Sequence, residues 1–345
     1  MPLKVNCWNE YDTLKTVILG NVYDSNRVPN LYHGKDQESL VKIVEQTHAE
    51  LAEIKLIMQQ HDVQVLQSKH PQAYHNAKHL PHSPLINMRD FHMAYGKMFF
   101  LTHGSYVTRR FQHAWLEDII NEMILDDNLV IAANEPNFQD LNFSELRADD
   151  FEARFKQIYK EKLDGKNLFH TACILKHNKT AFCSIVSGST VGEKWMRNWL
   201  AQQDVTMVFA NKFGHIDGSN SILNQDTLLT CHQKSGIWRK HFKNIIACPT
   251  VDEWWVWRQD QSISRKVKNP TDWLYEFQGH FQDFNAEANA LSLDPQTVML
   301  SFYDKTFYDM LKNDHGITAI YASWKNRHFW GGGLHCITCD LERSA

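Results

Sequence analysis

Short apolar runs bounded by turn residues alternate with longer amphipathic stretches along the whole of this 345-residue chain. A chain that keeps switching between period-two and helical patterning buries its strands under its helices, so an α/β fold is expected. Strand-like runs are Thr16–Gly20, Val63–Leu66, Lys97–Leu101, Leu129–Ala133, Val205–Ala210, Ser221–Leu223, Thr227–Thr230, Ile245–Ala247, Val298–Phe302 and Ile317–Ala322. Phe169–Leu175 and Thr180–Val186 read as a hairpin around His177-Asn178-Lys179. The spacing predicts a helix over Ser39–Gln60, with Leu40, Ile43, Val44, Leu51, Ile54 and Ile57 on one face and Ser39 as its cap. Further helices are expected over Arg110–Ile124, Val191–Gln202, Ala286–Leu291 and Lys305–Lys312. No Pro/Gly/Ser linker divides the chain and no repeat is visible, so residues 1–345 read as one domain. The charged, helix-prone stretch Asp140–Lys166 reads as a surface insertion.

Composition narrows the function. Hydrophobic residues make up 43% and aromatics 12%, enough for a sizeable core. The net charge of −4 offers no basic excess for nucleic acid or acidic lipid. No apolar run spans a bilayer, and Met1-Pro2-Leu3-Lys4 opens no apolar signal region, so a cytoplasmic protein is expected. The 7 cysteines follow no framework spacing, which suits a reduced chain, and Cys173, Cys183, Cys231 and Cys248 read as buried thiols. The 19 histidines match no metal template, and neither a metal nor a cofactor is expected. Trp254-Trp255-Val256-Trp257 reads as core, and Arg89, Arg109 and Arg110 as surface cations.

Three segments carry chemistry. In Trp330-Gly331-Gly332-Gly333-Leu334-His335-Cys336-Ile337-Thr338-Cys339-Asp340, three glycines let the backbone approach a ligand closely and adopt positive φ, with a cysteine just beyond. Cys336-x-x-Cys339 alone would suit metal or redox chemistry, but no second cysteine pair completes a four-thiolate site. In Gly214-His215-Ile216-Asp217-Gly218, read as a strand, His215 and Asp217 project from one face and place an acid/base beside a carboxylate. Met88-Arg89-Asp90-Phe91 sits where a carboxylate can line a cleft.

With Trp8-Asn9-Glu10-Tyr11, Val17-Ile18-Leu19-Gly20 and Gly192-Glu193-Lys194-Trp195-Met196-Arg197, these segments resemble the glycine (arginine:glycine-type) amidinotransferase family of the pentein superfamily over most of the chain. The resemblance implies an α/β-propeller of repeated ββαβ units with pseudo-fivefold symmetry and an active site in the central channel. It makes Cys336 the nucleophile and His215 the general acid/base, with Asp90 and Asp217 holding the guanidinium. The chemistry agrees. A guanidinium is a permanent cation with a planar donor fork that carboxylates match. A thiol needs help to ionise before it attacks.

The chain also departs from that family. Where the family carries an Asp-Ala-Ala-Asp strand, counting back from Trp195 places Phe169-His170-Thr171-Ala172-Cys173. His170 thus replaces the acid that orients the catalytic histidine, with Glu193 and Asp204 as other substitutes. Lys234 falls where the family has a carboxylate-gripping arginine, and Glu287 and Asn289 fall near its other carboxylate contact. Those residues favour a cationic acceptor over glycine. The expected activity is transfer of the amidino group of L-arginine to an amine through an amidino-cysteine. The alternatives are an arginine/agmatine deiminase-type hydrolase and a catalytically impaired guanidino-ligand-binding member. Expected partners are small molecules, with no nucleic acid or membrane, and a homodimer is left open.

Overall fold

A computed structural model describes residues 2–27, 37–71, 84–104, 109, 112–135, 165–184, 188–211, 214–231, 236–249 and 286–344. In chain order the first elements are β1 (Thr13–Leu19), α1 (Gln37–Gln60) and β2 (Gln64–Gln67). Next come β3 (His92–Tyr95), β4 (Met98–Leu101), α2 (Glu117–Leu125) and β5 (Leu129–Ala132). They are followed by β6 (Ile174–His177), β7 (Thr180–Ser184), α3 (Thr190–Ala201) and β8 (Thr206–Asn211). Then come β9 (Asn220–Asn224), β10 (Thr227–Thr230) and β11 (Asn244–Ala247). The last group is β12 (Leu291–Asp294), β13 (Thr297–Leu300), α4 (Lys305–His315), β14 (Thr318–Tyr321), α5 (Arg327–Trp330) and β15 (Thr338–Ser344).

The expected α/β class holds, and a regularity invisible in the sequence appears. The described strands form five three-stranded sheets, ordered β15-β1-β2, β3-β4-β5, β6-β7-β8, β9-β10-β11 and β12-β13-β14. In each, the middle strand pairs antiparallel with one neighbour and parallel with the other. A tight turn suffices for the antiparallel step, whereas the parallel step needs a crossover. α1, α2, α3 and α4 lie within four of those crossovers. One sheet joins the two ends of the chain, since β15 pairs with β1 in a register that sets Cys339 opposite Ile18.

The helices form for local reasons. Asp304 accepts from the Phe307 amide to cap α4, and Gly316 at φ 68 closes it in the left-handed conformation. Ser189 caps α3 through the Gly192 amide. α1 runs further toward the N-terminus than its spacing suggested, so Ser39 lies inside it rather than at its cap. Its Val44, Leu51, Ile54 and Met58 are buried against Trp324 and Trp330, with Ile43 and Ile57 packed alongside. Two other expectations are corrected. Ala286–Leu291 is a short 3-10 turn at Ala286–Ala288 followed by β12, because Leu291 and Leu293 alternate into the core. Arg110–Ile124 becomes a 3-10 segment, Gln112–Leu116, leading into α2. No described helix is long and apolar enough to cross a membrane. The expected insertion Asp140–Lys166 lies outside the described residues except for Gly165 and Lys166, and Trp254-Trp255-Val256-Trp257 lies wholly outside them.

Candidate active site

Cys336 sits in the turn between α5 and β15, and that turn is held from three sides. α5 ends at Gly331, whose φ of 69 reverses the chain. Trp324 Nε1 donates to the Gly332 carbonyl at 2.7 Å, and Asn87 Nδ2 to the Trp330 carbonyl at 2.6 Å. Trp330 Nε1 donates to Thr47 of α1 at 2.8 Å. A Cβ on Gly332 would lie 2.5 Å from Asn87 Oδ1 and 2.6 Å from Cys336 Cβ, so the turn can pass this close only as glycine.

The cysteine is buried and polar-bonded. Its amide donates to Asn289 Oδ1 at 2.9 Å, and Asn289 Nδ2 lies 3.1 Å from Sγ. Sγ also lies 3.4 Å from Asp217 Oδ2. Burial, then Asp217 and Asp90, push the Cys336 thiol well above its ordinary pKa, so it is protonated in the free protein. Cys339 points elsewhere, with its Sγ 3.4 Å from the His92 carbonyl among the side chains of a core cluster.

The Gly214–Gly218 segment is a turn entering β9 and not the strand its alternation suggested. Gly214 takes φ +71, and the Gly218 amide bonds back to the His215 carbonyl at 3.3 Å. The turn still sends both side chains inward. Asp217 Oδ2 accepts from His335 Nδ1 at 3.0 Å. His215 Nδ1 lies 3.4 Å from Asp90 Oδ1, and its Nε2 lies 3.1 Å from His170 Nδ1. Asp90 Oδ2 receives Arg109 Nη1 in a short contact. Burial would raise the Asp90 pKa, but Arg109, His215 and His170 hold it below the usual carboxylate range. Asp90 Oδ1 and Asp217 Oδ1 are buried with no hydrogen-bond partner among the described residues.

Beneath these groups lies a charge network that sequence reasoning missed. Arg89 pairs with Glu10 at 2.9 Å and with Asp340 at 3.8 Å. Lys176 lies 3.6 Å from Glu10 and 3.7 Å from Asp340, and Arg343 Nε pairs with Asp340 at 2.8 Å. His335 joins it to the site, facing Glu10 Oε2 at 3.1 Å through Nε2. Arg89 and Arg109 are therefore buried, not the surface cations expected, and Arg110 lies outside the described residues. The only sequence signal for this network was adjacency: Arg89 beside Asp90, His335 beside Cys336, and Glu10 in the N-terminal anchor.

The remaining candidates fall as follows. His170 faces His215, whereas Glu193 is paired with Arg197 on exposed α3. Asp204 ends the turn after α3 at φ 58. Asn289 contacts Cys336 directly; Glu287 is buried with its carboxylate 3.7 Å from Arg327. Lys234 lies outside the described residues. Cys173 and Cys183 are buried as expected, but Cys231 and Cys248 are only half-buried. His92 bonds the Met88 carbonyl and His113, and burial pushes its pKa down to about 3. Among the described residues no group of three or more His, Cys, Asp or Glu could hold a metal.

No family model matches the chain. Among solved structures it is similar over nearly its whole length to two amidinotransferases and to DDAH. The inosamine-phosphate amidinotransferase StrB1 of Streptomyces griseus is 16% identical, with 99% of this chain and 97% of that one covered and a TM-score of 0.71. SxtG, an amidinotransferase of the saxitoxin biosynthetic pathway in Microseira wollei, is 18% identical, with 99% and 98% covered and a TM-score of 0.69. DDAH from Pseudomonas aeruginosa, solved with citrulline, is 12% identical, with 95% and 99% covered and a TM-score of 0.56. The fold is thus the one shared by these amidinotransferases and DDAH, as the sequence resemblance implied.

Proposed function

We propose that the chain is a cysteine-dependent amidinotransferase that moves the amidino group of L-arginine to an amine acceptor. One observation carries this reading. The Cys336 thiol and the His215 imidazole adjoin two buried carboxylates, Asp217 and Asp90, each with an oxygen that has no hydrogen-bond partner among the described residues. Buried carboxylate oxygens without partners are costly unless a cation completes them. A guanidinium supplies both charge and N–H donors. In this reading the five sheets surround a pseudo-fivefold axis as an α/β-propeller, with the site in its central channel.

Burial and the two carboxylates hold Cys336 protonated, and the bound cation offsets the carboxylates, so binding itself favours thiolate formation. The thiol passes its proton to His215 as Sγ attacks the guanidinium carbon and forms a tetrahedral adduct. His215 carries a proton to the departing amine, the C–N bond breaks, and ornithine leaves an amidino group on Sγ. The acceptor amine then attacks that carbon, gives a proton to His215, and releases Cys336. His170, 3.1 Å from His215 Nε2, orients the ring in place of the acid found in the family, and less firmly, since a neutral imidazole does not stabilise an imidazolium.

Asn289 and Glu287 are proposed to line the acceptor side. The pairing of Glu287 with Arg327 offsets its charge, so the preference for cationic acceptors is weaker than Glu287 alone would suggest. The test combines guanidinium-labelled arginine with a panel of amines and intact-protein mass spectrometry. A labelled guanidino product, ornithine, and an amidino adduct on Cys336 are expected. Citrulline as the only labelled product would make the protein a hydrolase. No adduct and no product would leave only a guanidino-binding protein.

A further inference from the structure

We propose that Arg109 is a positioning residue of this site: it locks one oxygen of Asp90 and thereby turns the other toward His215 and the guanidinium of the substrate. The inference rests on the functional reading above and goes beyond it, because Arg109 contacts neither the thiol nor the imidazole.

The guanidinium of Arg109 is committed on every side. Nη1 meets Asp90 Oδ2, Nη2 donates to the Asn87 carbonyl at 3.2 Å, and Nε donates to Gln112 Oε1 at 3.1 Å. Its face lies 4.4 Å from the centre of the Phe91 ring. Gln112 is itself fixed, with Nε2 donating to the Pro84 carbonyl at 2.8 Å. Thus Arg109 bridges both ends of the Met88–Asp90 turn, and Asn87, whose carbonyl it binds, also holds the glycine turn through Trp330.

A planar fork explains the choice of residue. Arginine can hold the carboxylate, a backbone carbonyl and the Gln112 amide in one plane, whereas lysine offers a point charge on a flexible stem. With Oδ2 taken, the carboxylate cannot rotate, and Oδ1 is left buried 3.4 Å from His215 Nδ1. That separation is longer than a formed hydrogen bond, as is common before substrate arrives. Asp217 is arranged alike, with Oδ2 tied to His335 and Oδ1 bare. The clamp therefore offers one free oxygen from each carboxylate.

A pH signature follows. Among the described residues, Arg109, His215 and His170 hold Asp90 ionised, and His92, Cys173 and Cys336 lie within reach of its charge. Arg109 is the strongest of these in holding the carboxyl ionised. Removing it raises the Asp90 pKa, so Asp90 takes up a proton as pH falls and the cation loses its partner.

The experiment compares Arg109→Met, Arg109→Lys and Gln112→Ala. Arginine binding is measured by calorimetry in the non-turning-over Cys336→Ala background, from about pH 5 to about pH 8. Asp90 is followed without ligand by carboxyl carbon NMR. Arg109→Met should weaken arginine binding about tenfold or more at neutral pH and make it fall further with acid. Arg109→Lys should keep the flat pH profile but recover only part of the affinity, and Gln112→Ala should fall between wild type and Arg109→Met. The Asp90 titration should move upward in Arg109→Met. If binding and the Asp90 titration match wild type in every variant that folds, the inference is overturned. If the parent binds no guanidino compound while Asp90 still shifts, the functional reading fails and the positioning role stands.

Discussion

Burial and the carboxylates of Asp217 and Asp90 hold the Cys336 thiol protonated at neutral pH in the free protein. An activated cysteine would instead sit beside a cation. The free protein should therefore show no thiolate absorbance from Cys336 at pH 7, measured as the difference from Cys336→Ala, and a saturating guanidinium ligand should produce it. Cys336→Ala should abolish turnover, while Cys339→Ala should retain it, because the Cys339 thiol packs against the His92 carbonyl. Asp217→Asn should be the most damaging single change to ligand binding. Asp217 faces His335 and Cys336 at once, and breaking a buried charge pair typically costs about 3–5 kcal/mol. Calorimetry with arginine reports that loss, and near-wild-type affinity would sink the two-carboxylate clamp. The sequence exposed these chemically active side chains because they lie in motifs that resemble a known family. It did not expose Arg109, whose neighbours Asp90 and Asn87 lie 19 and 22 residues away.

At the scale of elements, the glycine turn is built by α1 and by the Met88–Asp90 turn as much as by its own residues. Gly332→Ala should distort the site before it unfolds the chain, since a Cβ there meets Cys336 and Asn87. The expected outcome is a large loss of turnover with a small change in melting temperature. Trp330→Ala should do the reverse, costing about 3–5 kcal/mol of stability by denaturant titration, because Trp330 is fully buried against α1 and anchors Thr47. The helical character of α1 was legible in its apolar spacing, and that of α3 and α4 in their patterns. The Gly214–Gly218 turn was not, because alternating residues read as a strand until a glycine at positive φ bends them.

For the molecule as a whole, the network of Arg89, Lys176 and Arg343 with Glu10 and Asp340 links stability to pH. Burial alone would raise both acids, but the surrounding cations hold Glu10 and Asp340 well below the usual carboxylate range. Carboxyls depressed in the folded state stabilise it above their unfolded pKa, about 4, and that stability drains away as pH falls toward the folded values. The urea midpoint should thus drop steeply below about pH 4, after a gentler decline from about pH 6.5, where His92 and His113 stay neutral in the folded state but take up protons in the unfolded one. Glu10→Gln should flatten that drop while lowering the midpoint at pH 7; an unchanged acid limb would refute the linkage.

Local order alone determined much of this. The α/β class, most strand positions and the long amphipathic helix followed from periodicity, which depends on near neighbours in the chain, and Cys336, His215, Asp217 and Asp90 became candidates through the motifs that resemble a known family. The fivefold recurrence of one sheet pattern had no sequence counterpart, because a sheet constrains the polarity and size of its residues rather than their identity. Tertiary structure alone decided which ion pairs with which. Glu10 meets Lys176 and His335, and Arg89 turns from its neighbour Asp90 to Glu10 and Asp340. Such partners are chosen by desolvation, since a buried charge must be matched by whatever opposite charge the fold brings within reach.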